Sequence, residues 1–263
     1  MGIRLFSTDL DGTVLGDPAS AWRFSDAWDA LPAAGRPLLV YNTGRTVANT
    51  RALVAARHLP EPDYIIGSVG TEMYDPRDGN SDGFIEQFRA GWDRDRLECI
   101  VGETSGVTRQ PPACSHAYKS SWYWVRARRD EIAGLEARIR AASLEASVIY
   151  SCRYFLDVIP ARAGKGRALE WLCRRLGIPM EQALVAGDTA NDTGMFMVPG
   201  VRGIVVQNAL PELHAAVMRQ RVFVAQSALA DGVLEGLRHF NVLPPARRES
   251  TQPGLSVMIQ KHD

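Results

Sequence analysis

The fold is decided by the first strand and the turn after it, residues 3–17, which read IRLFSTDLDGTVLGD. Residues 3–8 form a short apolar run of the kind that becomes a buried strand. Asp9 and Asp11 follow directly, and Gly12 then lets the chain turn sharply. Side chains two positions apart in an extended segment point the same way, so both carboxylates can face one cleft. The segment therefore predicts a buried strand with an acidic site at its carboxyl end.

Further apolar runs alternate with helical patterns along much of the chain. The runs cover residues 38–42, 64–69, 183–186, 203–206 and 221–225, and the helical patterns cover residues 19–31, 46–58, 165–176 and 210–219. This alternation is typical of βαβ units and predicts an α/β fold, a Rossmann-like parallel sheet with helices on both faces. Because ligands bind such sheets beyond the carboxyl ends of the strands, we expect the functional side chains there.

The middle of the chain breaks this alternation. Aromatic or amphipathic strand patterns at residues 117–127 and 147–159 flank a charged helical pattern at residues 130–143. Strands and helices without βαβ order predict an inserted α+β cap domain. The expected boundaries are 1–82 and 160–242 for the core, 83–159 for the cap and 243–263 for a C-terminal tail rich in proline and polar residues.

The composition favours a globular protein without a nucleic-acid or membrane partner. Of the 263 residues, 46% are hydrophobic, and 30 basic residues balance 30 acidic ones, so no overall field attracts a polyanion. No apolar run is long enough to span a bilayer, and the N-terminus lacks the pattern of an export signal. The four cysteines lack zinc or redox spacing. We therefore expect a cytoplasmic protein.

The paired aspartates suit the hydrolysis of a phosphate ester. That reaction needs a nucleophile, a proton donor for the departing oxygen and positive charge near the phosphoryl oxygens. Asp9 can attack phosphorus and form an acyl phosphate, and Asp11 can protonate the leaving group and later activate water. The same two residues could instead cap a turn after a strand, a role that the motif alone does not exclude.

Two further segments offer groups for a phosphate. Thr43 follows the run at residues 38–42, where its hydroxyl and the amides of a helix start suit a phosphate oxygen. Taken alone, this segment is explained better by a helix N-cap at Thr43, with Arg45 facing solvent. Lys165 opens the helical pattern at residues 165–176, where the helix dipole and the ammonium both favour an anion. A lone cation is unfavourable at a helix start, so a nearby anion accounts for this lysine.

A second pair of acidic residues, Asp188 and Asp192, follows the run at residues 183–186. Two carboxylates at the end of a buried strand repel each other unless a cation lies between them. An N-cap box explains one of them but not both. Hard oxygen ligands with space for water suit Mg²⁺. The pair predicts a Mg²⁺ cofactor, which would also offset the repulsion between the Asp9 carboxylate and an incoming phosphate.

Taken together, these segments resemble the four motifs of the haloacid dehalogenase superfamily, and the insertion resembles its type 2 cap. The resemblance implies that Asp9 is the nucleophile and Asp11 the acid/base. It implies that Thr43 and Lys165 hold the phosphoryl group. The implied metal ligands are Asp9, the backbone carbonyl of Asp11, and Asp188, with Asp192 close behind.

Other segments are similar to the sucrose-phosphate phosphatase branch of that superfamily. These segments are residues 9–17, 70–72, 119–123, 150–151, 156–160 and 163–166. Lys119 matches a cap lysine that reaches the sugar, although a lysine facing solvent explains it equally well. The substrate-binding residues that the resemblance implies are Thr43, Gly44, Arg45, Thr71, Glu72, Lys119, Lys165 and Asn191.

The resemblance implies a small-molecule sugar phosphate as substrate, and sucrose 6-phosphate is the first candidate. It also implies a sugar-phosphate synthase of the same pathway as a partner. Mannosylfructose-phosphate phosphatases are also similar to this chain, and both disaccharides carry a fructosyl 6-phosphate. Where the family often has glycines, this chain has Cys152, Arg153 and Tyr154, whose bulk could reshape the sugar pocket. A sugar phosphomutase and a non-catalytic sugar-phosphate-binding protein share the fold and stay open as alternatives.

Overall fold

The structure is a computed structural model that describes residues 2–77 and 82–245. Most of the expected C-terminal tail, residues 246–263, lies outside these ranges, as do residues 78–81 before the cap. Among the described helices, none combines the length and the apolar character needed to cross a membrane.

Strands and helices alternate through the described residues much as the sequence predicts. The strands are β1 (Leu5–Thr8), β2 (Leu38–Asn42), β3 (Tyr64–Gly67), β4 (Glu72–Tyr74), β5 (Val107–Arg109), β6 (Ser120–Trp124), β7 (Ala146–Ser151), β8 (Phe155–Pro160), β9 (Ala183–Gly187), β10 (Arg202–Val205) and β11 (Val222–Val224). The helices are α1 (Pro18–Asp29), α2 (Val47–Ala55), α3 (Asp82–Ile85), α4 (Arg94–Gly102), α5 (Arg129–Ala141), α6 (Lys165–Leu176), α7 (Thr193–Phe196), α8 (Pro211–Val217) and α9 (Leu229–His239).

The core sheet has the parallel arrangement that the sequence predicts. Its strands lie in the order β11-β10-β9-β1-β2-β3-β4, and all neighbours are parallel except β3 and β4. Thr8 of β1 lies opposite Tyr41 of β2 on one side and Ala186 of β9 on the other. The carboxyl ends of these three strands therefore meet, and the residues that follow them are brought together. The predicted α/β class is confirmed.

Neighbouring residues of the core strands face opposite sides of the sheet. Leu5 packs in a cluster covered by α6 and α8, whereas Phe6 packs in a cluster covered by α1 and α9. Both side chains are fully buried. Helix α9, which the sequence patterns did not indicate, contributes Val233 and Leu237 to the second cluster. Burial on both faces explains why these strands read as continuous apolar runs.

The cap is an antiparallel sheet of order β5-β6-β8-β7 that packs against α4 and α5. Trp122 and Trp124 of β6 are buried in its core. The insertion interrupts the chain between β4 and α6, so the cap is connected to the core on both sides. The predicted α+β insertion is confirmed.

The prediction of a single strand at residues 147–159 is wrong, because this segment forms the hairpin of β7 and β8. Cys152 and Arg153 form its turn, with φ angles of 54° and 53°, and Tyr154 N donates to Ser151 O at 3.1 Å. Two-residue hairpin turns with positive φ normally contain Gly or Asn. Neither is present here, so the sequence carried no turn signal.

Candidate active site

A buried ammonium lies between two carboxylates at the end of β1. Lys165, the first residue of α6, donates from Nζ to Asp9 Oδ1 at 2.6 Å and to Asp192 Oδ1 at 2.7 Å. The Lys165 side chain has no exposed surface, and Asp9 and Asp192 are also buried. These residues meet because the end of β1, the start of α6 and the turn after β9 converge at one point.

The turn after β9 is held by its own hydrogen bonds. Asp192 Oδ2 accepts from Asp188 N and from Thr189 N, each at 3.0 Å. Asp188 Oδ1 accepts from Thr13 Oγ1 at 3.1 Å. Gly12, beside it, has a φ of 84°, and a Cβ there would collide with the Asp188 carboxylate. The turn after β1 therefore needs glycine to approach Asp188.

The cluster carries more negative than positive charge. When Asp9, Asp188 and Asp192 are all ionised, they carry three negative charges against the one ammonium of Lys165, and two of these charges are uncompensated within the cluster. Burial, with the neighbouring Asp192 carboxylate, raises the pKa of Asp188 to about 7. Burial also raises the pKa of Asp9 well above its ordinary value, although Lys165 opposes this. Burial alone would lower the pKa of Lys165, but Asp192 and Asp9 raise it above the ordinary value.

These carboxylates fit a divalent metal ion. One oxygen from each of Asp9, Asp188 and Asp192 lies within 4.8 Å of the others. Hard oxygen ligands of this kind suit Mg²⁺, and two uncompensated charges match its charge. Both oxygens of Asp192 already accept hydrogen bonds. Asp9 and Asp188 are therefore better placed to bind the metal directly, with Asp192 behind them.

Asp11 is held outside this cluster by Arg45. Arg45 Nε and Nη2 donate to the two carboxylate oxygens of Asp11 at 2.7 Å and 2.6 Å. The hydrogen bond to Asp11 raises the pKa of Arg45 above its ordinary value. The Asp11 side chain is 54% exposed, whereas Asp9 is buried. Thr43, also buried, accepts from Arg45 N through Oγ1 at 3.2 Å, so the predicted phosphate loop lies beside both aspartates.

A cavity of about 460 Å³ lies between these core residues and the cap. This volume is within the range of roughly 300–1,000 Å³ that small-molecule sites occupy. From the core, the lining includes Asp9, Asp11, Gly44, Arg45, Thr189 and Asn191. From the cap, it includes Gln110, Lys119, Ser151, Cys152, Phe155 and Asp157.

Lys119 links the cap to the core across this cavity. Its Nζ donates to Gly44 O at 3.2 Å and lies 3.4 Å from Asp157 Oδ1. Asp157 Oδ1 also accepts from Ser121 Oγ at 2.6 Å. The Lys119 side chain is only 5% exposed, so a lysine that faces solvent is excluded. Its ammonium instead lies where it can contact both a core loop and a ligand in the cavity.

Four predicted substrate residues do not line the cavity, namely Thr43, Thr71, Glu72 and Lys165. Thr43 and Lys165 are buried beside residues that do line it, whereas Thr71 and Glu72 make other contacts. Thr71 Oγ1 donates to Ser68 O at 2.8 Å and lies 2.8 Å from His116 Nε2 of the cap. Glu72 accepts from Val47 N, at the start of α2, at 3.1 Å and from Ser68 Oγ at 2.6 Å. Thr71 thus joins a core loop to the cap, whereas Glu72 joins two segments of the core. Their predicted role toward substrate stays a prediction.

Three polar cap residues of the cavity were not among the predicted site residues. They are Gln110, Ser151 and Asp157. Asp157 interrupts the apolar strand β8, and a lone carboxylate in such a strand is a signal that could have identified it. Gln110 and Ser151 carry no such signal, because they reach the cavity only through the folding of the cap over the core.

Comparison with known proteins agrees with this geometry. A family model described as sucrose-6F-phosphate phosphohydrolase matches residues 3–241. The chain belongs to this family. Mannosylfructose-phosphate phosphatase of Agrobacterium fabrum is 41% identical over 244 residues, which are 92% of this chain and 98% of that protein. Sucrose-phosphatase 1 of Nicotiana tabacum is 34% identical over 257 residues. The aligned region covers 90% of this chain and 59% of the tobacco protein.

Solved structures extend the comparison to the fold. The structure of sucrose-phosphatase from Synechocystis sp., in complex with sucrose and phosphate, matches with a TM-score of 0.84 and 31% identity, over 92% of this chain and 99% of that one. A sugar phosphatase of haloacid dehalogenase subclass IIB, 15% identical, and a haloacid dehalogenase-like hydrolase from B. subtilis, 17% identical, share the fold with TM-scores of 0.67 and 0.61. As a sucrose-6F-phosphate phosphohydrolase family member, this chain is a phosphatase of that superfamily, and the resemblance noted from its motifs is confirmed.

Proposed function

We propose that this chain is a Mg²⁺-dependent phosphatase that hydrolyses a disaccharide phosphate through an aspartyl phosphate on Asp9. The observation that carries the proposal is the buried group of Asp9, Lys165 and Asp188 below a cavity closed by the cap. This group combines a carboxylate nucleophile, a cation for the phosphoryl oxygens and a second carboxylate for a metal.

The first half of the reaction transfers the phosphoryl group to the protein. An oxygen of Asp9 attacks phosphorus, and the bond between phosphorus and the sugar oxygen breaks. Lys165 offsets the charge of the phosphoryl oxygens, and Thr43 offers them a hydroxyl. Asp11 donates a proton to the departing sugar oxygen. Asp9 and Asp188, with the Asp11 carbonyl that the family resemblance implies, would hold Mg²⁺, whose charge would offset the repulsion between nucleophile and phosphate.

The second half returns Asp9 to its starting state. Asp11, now without its proton, accepts a proton from water as the water oxygen attacks phosphorus. The acyl phosphate bond breaks, inorganic phosphate leaves, and Asp9 regains a free carboxylate. Because Asp192 also holds the Lys165 ammonium beside Asp9, the same ammonium can offset the charge of the phosphoryl oxygens in both halves.

The cap side of the cavity supports a sugar as the leaving group. Lys119 and Asp157 offer a charged donor and a charged acceptor, and Gln110 and Ser151 offer neutral polar groups. Phe155 adds a partly exposed aromatic side chain. A few polar groups beside an apolar surface are typical of pockets that orient small molecules. We therefore assign the non-phosphorylated part of the substrate to the cap.

Two disaccharide phosphates are candidates, and both carry a fructosyl 6-phosphate. The 41% identity to a mannosylfructose-phosphate phosphatase over nearly the full length of both chains favours mannosylfructose phosphate. Sucrose 6-phosphate, the substrate expected from the sequence, is supported by the family model and by the Synechocystis sucrose-phosphatase. A cytoplasmic location and a sugar-phosphate synthase as partner stay predictions.

The test is phosphate release, with Mg²⁺, from mannosylfructose phosphate, sucrose 6-phosphate, fructose 6-phosphate and glucose 6-phosphate side by side. The Asp9→Asn variant, purified in the same way, measures release by contaminating phosphatases. We expect a strong preference for one disaccharide phosphate over both hexose phosphates. Equal, weak activity on all four would reject the disaccharide assignment and leave only the phosphatase chemistry.

A further inference from the structure

A buried amide lies directly behind the catalytic lysine. Asn42, the last residue of β2, is fully buried, and its Nδ2 donates to the main-chain carbonyl of Lys165 at 3.0 Å. This contact joins the strand before the phosphate loop to the first residue of α6. The N-cap position of that helix is Gly164, which has no side chain to accept from the N–H groups of the first turn. The Asn42 amide is therefore a side-chain tether on the helix start that carries Lys165.

The other end of the same amide has no partner. Within the described residues, Asn42 Oδ1 is buried and accepts no hydrogen bond. An unpaired buried acceptor costs stability, so the residue is not explained by stability alone. The orientation of the amide is set by the Lys165 carbonyl, since the opposite orientation would bring two oxygens together. The hydrogen bond that the Asn42 side chain makes is therefore the one from Nδ2 to the Lys165 carbonyl.

The helix start is constrained from a second side as well. Gly70, at a φ of 84°, packs so closely against the Gly164 main chain that a Cβ there would collide with it. Close packing restricts the approach of the helix toward the loop but supplies no hydrogen bond. The Asn42 amide adds that directional bond, on the side of β2. The position of the Lys165 ammonium between Asp9 and Asp192 depends on how this first turn is held.

We infer that Asn42 is a positioning residue, which fixes the first turn of α6 so that the Lys165 ammonium meets the phosphoryl group in the transition state. The inference rests on the proposed function, because it assigns Lys165 to the phosphoryl oxygens. A small displacement of such a group lowers kcat more than it changes substrate binding, since the tightest contacts form in the transition state.

The test replaces Asn42 with leucine, which keeps a similar shape but removes both the donor and the unpaired oxygen. Asn42→Leu should unfold at the same or a higher temperature than wild type, while kcat falls roughly 10- to 100-fold with little change in KM. Affinity for vanadate, which mimics the five-coordinate phosphorus, should fall more than affinity for inorganic phosphate. Asn42→Ala serves as a second variant if leucine does not fit.

Ser7→Ala is the matched control. Ser7 is also fully buried on a neighbouring core strand, but its hydroxyl contacts only the sulfur of Met195, at 3.9 Å, among the described atoms. The kcat of the Ser7→Ala variant should equal that of wild type. The inference would be overturned if Asn42→Leu had the kcat of wild type, or if its kcat fell only in proportion to the loss of folded protein. Failure of both Asn42 variants to fold would also overturn it. If wild type itself releases no phosphate from any disaccharide phosphate or from p-nitrophenyl phosphate, the proposed function fails instead.

Discussion

Arg45 holds the carboxylate of Asp11 with two parallel hydrogen bonds, from Nε and Nη2, at the rim of the buried cluster. Asp11 is the residue that the proposed reaction uses as a proton donor, but here both of its carboxylate oxygens accept hydrogen bonds from Arg45. The pair must therefore open before the sugar leaves. The phosphate of the substrate is an anion that can replace Asp11 as the partner of the guanidinium, so we expect substrate binding to release Asp11 from Arg45.

This coupling predicts the behaviour of Arg45 variants. Arg45→Lys keeps the positive charge but loses the planar pair of donors, so its kcat/KM should be about tenfold below wild type. The kcat/KM of Arg45→Ala, which loses the charge as well, should be lower still. Steady-state kinetics on the preferred disaccharide phosphate measure both. Arg51→Ala is the control, because Arg51 lies over the ring of Tyr74 and does not line the cavity. Unchanged kinetics in both Arg45 variants would remove Arg45 from the substrate site.

The charge of the cluster predicts an unusual pH dependence of stability. The pKa of Asp188 is raised to about 7 in the folded protein, so the metal-free fold holds a proton that the unfolded chain releases. Between pH about 4 and 7, the free energy of unfolding should therefore fall as pH rises, by at most about 1.4 kcal/mol per pH unit for this one group. Denaturant titrations in EDTA, compared with Asp188→Asn at each pH, isolate this contribution.

Added Mg²⁺ should oppose this effect, because it replaces the proton as the partner of the carboxylate. The stabilisation by Mg²⁺ should thus be larger at pH 8 than at pH 5, and it should be lost in Asp188→Asn. Equal stabilisation of wild type and Asp188→Asn would place the metal elsewhere.

Calcium should inhibit the enzyme in competition with Mg²⁺. Ca²⁺ takes more ligands at longer distances, about 2.3–2.6 Å against about 2.0–2.1 Å for Mg²⁺, so it binds the same carboxylates without holding the nucleophile in line. Rates measured at fixed Mg²⁺ and increasing Ca²⁺ should decline, and excess Mg²⁺ should restore them. If Ca²⁺ alone supports the Mg²⁺ rate, the proposed role of the metal is wrong.

The hairpin turn of the cap predicts a change in substrate preference. Cys152 and Arg153 both have positive φ, but only Cys152 lines the cavity. Cys152→Gly removes a side chain from the cavity wall, so the ratio of kcat/KM for the two disaccharide phosphates should change severalfold. The rate with p-nitrophenyl phosphate should not change, since this substrate lacks the second sugar.

Arg153→Gly is the matched control for that experiment. It makes the same backbone change in the same turn, outside the cavity lining. Both variants should alter stability by less than about 1 kcal/mol, because relief of the left-handed conformation is offset by the entropy that glycine adds to the unfolded chain. An equal change of preference in both variants would assign the effect to the turn and not to the Cys152 side chain.

Much of the core site could be predicted because its residues are tied to strand ends. Asp9, Thr43 and Asp188 follow three strands whose parallel pairing brings them together, and local patterns reveal such strands. The convergence of Lys165 with Asp9 follows from the same arrangement, because α6 begins at that end of the sheet.

The cap could not be predicted to the same depth, because its contribution depends on how it lies over the core. The contact between Lys119 and Gly44 spans two domains and leaves no local pattern. The turn at Cys152 and Arg153 uses residues that rarely form such turns. Thr71 and Glu72 adjoin the cap, yet their hydrogen bonds are directed away from the cavity, which spacing in the sequence cannot show.

The most direct test of the account is to capture the aspartyl phosphate. Asp11→Asn removes both the proton donor for the departing sugar and the group that activates water. The substrate for this test is therefore p-nitrophenyl phosphate, whose leaving group departs without a proton, so that Asp9 can still be phosphorylated and the intermediate should accumulate. After brief mixing with Mg²⁺ and p-nitrophenyl phosphate, intact-mass analysis should show one added phosphoryl group, and peptide mapping should locate it on Asp9. Absence of the adduct with normal turnover, or its location on another residue, would contradict the account.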